Sequence, residues 1–371
     1  MMAPSVNYLP YHSTGFFSKI VTDYLSNAAS LQHFYTHTPD LAGIQQAMQE
    51  RKQFATPRRL LADALTGQYK GIQVSGRVNE NIRLLADENT FAITTAHQPN
   101  IFTGPLYFIY KIMHVIKLAD ELTEKLPGNR FVPVYYMGSE DADIDELGYL
   151  HVGGKKLVWQ TNQTGAVGRM KVDKALLQLI SDIYGQTGVH PYGEELNRLF
   201  RECYTQGKTI QQATLELVNQ LFGEYGLVVL VPDSPELKRV FNPIIRKELL
   251  EGFSHTAVTD TIQQLSKEYK VQAGGRDINL FYLLDDKRER IELNNGKYEV
   301  QALGLVFTEK EILEELDAHP ERFSANVILR GAFQETILPG VAFIGGGGEL
   351  AYWMELKNVF AAAGIPYPVL I

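Results

Sequence analysis

The chain has 371 residues, with 35 Lys and Arg against 43 Asp and Glu, a formal net charge of −8. At roughly 150 residues per domain this length suits two to three domains, and it is ample for a core that needs no cross-links. The acidic balance excludes a general nucleic-acid coat, which works by displacing counterions with excess cations, and no nucleic-acid partner is expected. With 45% hydrophobic and 21% charged residues, the composition is that of a globular chain.

A single cysteine, Cys203, excludes an intramolecular disulfide and any zinc centre that needs two or four cysteines. No metal-ligand set is assigned. The opening MMAPSVNYLPYHSTGFF lacks the charged and apolar regions of a secretory signal. The longest apolar helical stretch, Pro105 to Leu126, is interrupted by Lys111, His114, Lys117, Asp120 and Glu121, so no membrane span is expected. A soluble cytoplasmic protein is the simplest expectation.

Residues 1–88 read as a helical region. Phe16, Phe17, Ile20, Val21, Tyr24 and Leu25 recur at helical steps, as do Leu41, Ile44, Ala47 and Met48, then Leu60, Leu61, Ala64 and Leu65. Residues 89–371 read as an α/β core. A strand at Thr90–Ala96 leads through the loop His97–Thr103 to a helix opened by Gly104 and Pro105. Pro127-Gly128 ends that helix, and a second strand covers Phe131–Met137, where Pro133 argues for a strand end or an edge. Strand, helix and strand make one βαβ unit.

Gly226–Val231 predicts a fully buried strand, followed by a helix from Pro235 capped by Asp233 or Ser234. Val341–Ile344 predicts another strand, turned by Gly345–Gly348 into a helix over Glu349–Ala363, and a last strand starts near Tyr367. Two insertions are expected, at about 153–222 and 253–324. The second contains a hairpin, Arg290–Leu293 with Tyr298–Val300, around Asn294-Asn295-Gly296. His114 is expected to be a hydrogen-bonded core residue. Cys203 is expected to be structural.

Ligands of open α/β sheets bind beyond the carboxyl ends of the strands, and three segments fall there. The first is His97-Gln98 with Asn100, Thr103 and Gly104. Thr103 is a candidate cap for the long helix, whose first turn would form an anion site. Lys111 in the same helix points either to an external anion or simply to solvent. The GxxxxGK[ST] and GxGxxG fingerprints are absent. The second segment, Ser139–Glu146, holds five carboxylates in eight residues. It is either a cation or ammonium site built on Glu140, Asp141 and Asp143, or a solvated loop that caps the next element. In the third segment, Gly346 and Gly347 lead to Glu349, Tyr352 and Trp353. The glycines let backbone approach a ligand, and the aromatics either stack on a sugar or base or fill the core.

Four stretches together carry a resemblance. They are HQPNIFTGPLYFIYK (His97–Lys111), VPVYYMGSEDADIDEL (Val132–Leu147), HPERFSANVILR (His319–Arg330) and LPGVAFIGGGGELAYWMELK (Leu338–Lys357). In their order and spacing the chain resembles the bacillithiol biosynthesis cysteine-adding enzymes (BshC), over nearly its whole length. The resemblance implies a Rossmann-like core of the class I nucleotidyltransferase kind. It also implies a ligase that joins L-cysteine to glucosaminyl-malate in the last step of bacillithiol synthesis.

Because a carboxylate must be activated first, ATP with Mg2+ is the expected energy source, although no KMSKS-like signature is present. His97, Asp141 and Asp143 are the catalytic candidates. Gln98, Asn100, Thr103, Gly104, Lys111, Glu140, Arg330, Gly346, Gly347, Glu349, Tyr352 and Trp353 are the binding candidates. Where the family pattern reads Glu-Asp-His-Asp, this chain has Ala142, so no role transfers from that histidine, and His97 is the nearest replacement. The pattern also implies a further C-terminal coiled coil, hence a fragment here and a homodimer for the full-length protein. Another amide-forming nucleotidyltransferase-like enzyme, or a non-catalytic thiol- or sugar-binding protein, would fit the same residues.

Overall fold

Short, largely apolar strands separated by helices suit a parallel sheet covered on both faces. The computed structural model describes residues 7–371; the first six, where the segment without secretory-signal features begins, lie outside the described residues. Five strands, β1 (Thr90–His97), β2 (Arg130–Met137), β3 (Val228–Leu230), β4 (Gly340–Ile344) and β5 (Val369–Leu370), form one parallel sheet. Their order across it is β3-β2-β1-β4-β5. The chain therefore winds one way from β1 to β3 and the other way through β4 to β5, the doubly wound Rossmann-like arrangement of the α/β class.

Six helices position the site or anchor the sheet: α1 (Leu41–Gln53), α2 (Leu106–Lys125), α3 (Pro235–Glu251), α4 (Val327–Ile337), α5 (Gly347–Glu355) and α6 (Lys357–Ala363). Ser234, not Asp233, caps α3, accepting from the Leu237 N–H at 3.3 Å. Among the described residues no helix is long and apolar enough to cross a membrane.

Several expectations need adjustment. Pro133 lies inside the second strand from one edge, where pairing with β3 begins only at Val134. Phe16 and Phe17 precede the helix Lys19–Leu25 and are exposed; Ile20, Val21 and Tyr24 form its buried face. The hairpin turns at Asn295 and Gly296, with φ of 50° and 75°, the two positive angles a two-residue primed turn requires. Arg290 belongs to the neighbouring hairpin, Leu280–Leu284 with Lys287–Arg290. His114 is exposed on α2.

Between β2 and β3, after the short helix Ile144–Leu147, lie a small hairpin and three longer helices with their own core, which includes Trp159, Phe200, Cys203 and Tyr204. Burial pushes the Cys203 thiol up to about 12, so it sits there as a small apolar group. Phe102, from the loop after β1, packs 4.7 Å from the rings of both Phe200 and Tyr204. Its N–H donates to the Tyr204 hydroxyl at 3.1 Å. Phe102, Thr103 and Gly104 all have positive φ, and a Cβ at Gly104 would meet Asn100 Cβ at 2.5 Å. The insertion thus holds a strained turn in place at the carboxyl end of β1.

One buried ion pair ties the N-terminal helices to the sheet. Arg51 of α1 donates to Glu335 Oε2 at 2.6 Å, to the Glu335 carbonyl at 2.7 Å and to the Gly340 carbonyl at 2.9 Å. Gln334 donates to the second Glu335 oxygen at 2.9 Å. A Cβ at Gly340 would meet that carboxylate at 2.3 Å, so the start of β4 requires glycine. Arg51→Met leaves a buried carboxylate without its cation and is expected to lower unfolding free energy by about 3–5 kcal/mol in urea titration. Pairing it with Glu335→Leu should recover much of that loss. A single-variant cost under about 1 kcal/mol would contradict this assignment.

Candidate active site

Successive residues of a strand point to opposite faces, and this alternation separates His97 from Gln98 at the end of β1. His97 turns under α2, its ring 5.2 Å from those of Tyr107 and Phe108. The imidazole is buried and its Nε2 has no partner. Burial, then the charges of Lys111 and Arg330, pull it down to about 3, so it is neutral near pH 7. Gln98 instead faces a cleft of about 400 Å³ at the carboxyl ends of β1 to β3. Its amide donates to Asp141 Oδ2 at 3.2 Å.

The acidic loop after β2 divides by function. Glu140 is ion-paired with Lys238 of α3, which is buried. Lys238 lies 3.3 Å from Asp233 Oδ1 and donates to the Glu321 carbonyl at 3.0 Å. Arg169, from the first insertion, grips Asp233 with two hydrogen bonds of 2.6 Å. Two cations and two carboxylates thus close a charge-neutral quartet. Asp143 caps the short helix Ile144–Leu147, accepting from the Glu146 N–H at 3.1 Å. Asp141 is left with the Gln98 amide and a 3.3 Å bond from the Asp143 N–H. It is the loop carboxylate that faces the cleft without a cation.

The opposite wall is basic. Arg330, near the start of α4, donates to the Tyr352 hydroxyl at 3.1 Å. Gly138 has no Cβ, and one placed there would meet the Arg330 guanidinium at 3.2 Å, so glycine lets the arginine lie against the end of β2. Arg288, from the second insertion, donates to Ser324 Oγ at 3.2 Å and stacks 3.9 Å from the Phe281 ring. Arg276 and Arg290 line the same cleft.

A second cluster fills the crevice between β1 and β4. Lys111, buried in α2, donates to Glu349 and to the Ala96 carbonyl, each at 2.7 Å. Glu349 also accepts from the Gly346 N–H at 2.8 Å. The anion that Lys111 requires is therefore supplied from within the chain, and the lysine does not face solvent.

Of the sequence candidates, the structure brings Gln98, Glu140, Asp141 and Arg330 to the cleft, with Tyr352 behind Arg330. It brings His97, Lys111, Gly346 and Glu349 to the crevice, and leaves Gly347 exposed. Asn100 and Gly104 shape the turn, and the Asn100 amide donates to the Glu146 carbonyl at 3.4 Å. Two expectations are corrected. Thr103 does not cap α2, which begins after Pro105 with no side-chain cap. Trp353 is not available for stacking on a ligand: it is buried, 4.3 Å from Phe343 and packed on Phe360 and Tyr367.

Arg169, Asp233, Lys238, Arg276 and Arg288 were missed by sequence reasoning. Only the alternation Lys287-Arg288-Glu289-Arg290, which puts two arginines on one face of a strand, carried a usable signal. Among the described residues no three His, Cys, Asp or Glu side chains converge as metal ligands. With Glu140 paired and Asp143 capping, the loop does not fit a metal ion held by protein alone.

The comparisons agree with this architecture. Residues 5–371 match the family model described as bacillithiol biosynthesis BshC, N-terminal Rossmann-like domain. The "Putative cysteine ligase BshC" of Flavobacterium johnsoniae is 43% identical over 366 residues, covering 98% of this chain and 69% of that protein. The protein of the same name from Cytophaga hutchinsonii is 40% identical, covering 100% and 69%. That of Bacillus cereus is 26% identical, covering 95% and 67%. The extent of these matches and the doubly wound sheet lead to one conclusion: the chain belongs to the BshC family and carries its N-terminal Rossmann-like domain.

Proposed function

We propose that this domain is a cysteine ligase that forms the amide between the carboxyl group of L-cysteine and the amine of glucosaminyl-malate, completing bacillithiol. The observation that carries the reading is Asp141, held by Gln98 and left without a cation at the carboxyl ends of β1 and β2 in a domain of this family. An amine arriving in the cleft meets one carboxylate oriented to hold its ammonium and to take its proton. Glu140 is committed to Lys238 and Asp143 to its helix, so neither competes for that role.

A free carboxylate is a poor acyl donor, so the reaction needs an activating co-substrate, and ATP with Mg2+ is the proposed one. With Asp141 engaged by the amine and Glu140 by Lys238, a Mg2+ would be carried on the nucleotide phosphates. His97, neutral and turned under α2, sets the end of β1 and does not supply a proton.

Purified protein given L-cysteine, glucosaminyl-malate and Mg-ATP should yield bacillithiol by mass spectrometry. Asp141→Asn should slow turnover by about 100-fold or more with an unchanged circular dichroism spectrum. A wild-type rate in that variant would sink the assignment. The placement of His97 also governs acid stability. With its ring held neutral down to about 3 against an ordinary 6.5, only the unfolded chain takes up this proton between those values. Its share of stability is complete above pH 6.5 and falls by about 1.4 kcal/mol per pH unit toward pH 3. His97→Gln should flatten the urea-midpoint profile over that range by about one proton. Parallel profiles would show that His97 titrates normally.

A further inference from the structure

The cleft holds more positive charge than its own residues neutralise. Arg276, Arg288, Arg290 and Arg330 line it, facing Asp141 and a Glu140 already paired with Lys238. Among the described residues none of the four arginines has a carboxylate within ion-pair distance; Arg288 and Arg330 are held only by neutral groups. This excess sits in a chain whose net charge is −8. Burial and the like charge of Arg330 work against the Arg288 guanidinium, with Glu140 and Asp141 only partly compensating. Such an arrangement is costly unless an anion completes it.

The positions narrow the anion. Arg330 comes from α4, on the core side. Arg288 and Arg290 alternate on one face of an insertion strand, and Arg276 precedes the other strand of that hairpin. Guanidinium groups are therefore offered from two separate elements, each able to take a carboxylate by two parallel hydrogen bonds. Gly138 and Gly274 are the only glycines among the lining residues, so the wall has no glycine-rich phosphate cradle.

We infer that this arginine wall is a clamp for a small dicarboxylate, with the second insertion serving as the element that selects it. The inference rests on the proposed function and deepens it: the acid arm of the acceptor lies against Arg288 and Arg330, and its amine lies toward Asp141. The insertion then discriminates a two-carboxylate acceptor from one with a single carboxylate or none.

The test is equilibrium binding by calorimetry to the intact protein, using L-malate, L-lactate and inorganic pyrophosphate as probes. L-malate should bind at least about tenfold more tightly than L-lactate, since a second charge-assisted contact is worth that much. It should also bind more tightly than pyrophosphate. Arg288→Met and Arg290→Met, both on the insertion, should each weaken malate binding with no change in the circular dichroism melt; about tenfold is expected for Arg288. Arg288→Lys should restore only part of it, because the planar fork is lost. Equal binding of malate and lactate, no malate binding, or tighter binding of pyrophosphate lost in the same variants would each overturn the clamp. Malate binding without bacillithiol formation would instead overturn the ligase reading and leave the clamp standing. Ligase activity in a protein indifferent to malate would do the reverse.

Discussion

Lys238 is buried with its ammonium between Glu140 and Asp233, and the shape of the cleft follows from the need to neutralise it. An unpaired charge at that depth would cost several kcal/mol. Two carboxylates answer it, and Arg169 balances the second. The four residues come from different parts of the chain: the loop after β2, the first insertion, the loop after β3, and α3. Lys238 and Arg169 also reach the Glu321 carbonyl of the second insertion. Closing the quartet therefore fixes both insertions against the sheet. It also decides the chemistry of the acidic loop. Glu140 becomes structural, and Asp141, one residue on, is left to meet a ligand.

A similar internal pairing closes the other place where this fold receives ligands. In doubly wound sheets the crevice lies where the strand order reverses. Here that crevice, between β1 and β4, holds the Lys111–Glu349 pair, and Glu349 covers the Gly346 N–H of the glycine turn. The open space lies on the β2 and β3 side, walled by α4 and the second insertion. The site thus combines a floor at the strand ends, which contributes Asp141, with a wall from α4 and the second insertion, which contributes the guanidinium groups.

Much of the fold was legible in the chain because its signals are local. The βαβ unit from Thr90 to Met137 is marked by apolar runs and by Pro127-Gly128. The Asn-Asn-Gly hairpin is marked by residues that accept positive φ. Local pattern made the site legible only where it follows directly from a strand end, as with Gln98 and Asp141, while Arg330 came from the resemblance. The rest depends on contacts no local pattern encodes. Glu349 is 238 positions from Lys111, and Arg169 is 64 from Asp233. Thr103 misled because the turn before α2 runs through three positive-φ residues, which places the helix start beyond reach of its hydroxyl. Trp353 misled because a helix of nine residues gives no clear apolar face, and Phe343, Phe360 and Tyr367 claim its ring.

The acceptor is expected in the cleft beyond β1 to β3, with its amine at Asp141 and its acid arm on the arginine wall. A crystal structure of the protein with glucosaminyl-malate tests this placement most directly. The sugar nitrogen should lie within hydrogen-bond distance of Asp141 and the malate carboxylates on Arg288 and Arg330, with Glu140 still on Lys238. Acceptor density in the β1–β4 crevice, with Glu349 displaced from Lys111, would contradict it, as would a malate arm turned toward Asp141.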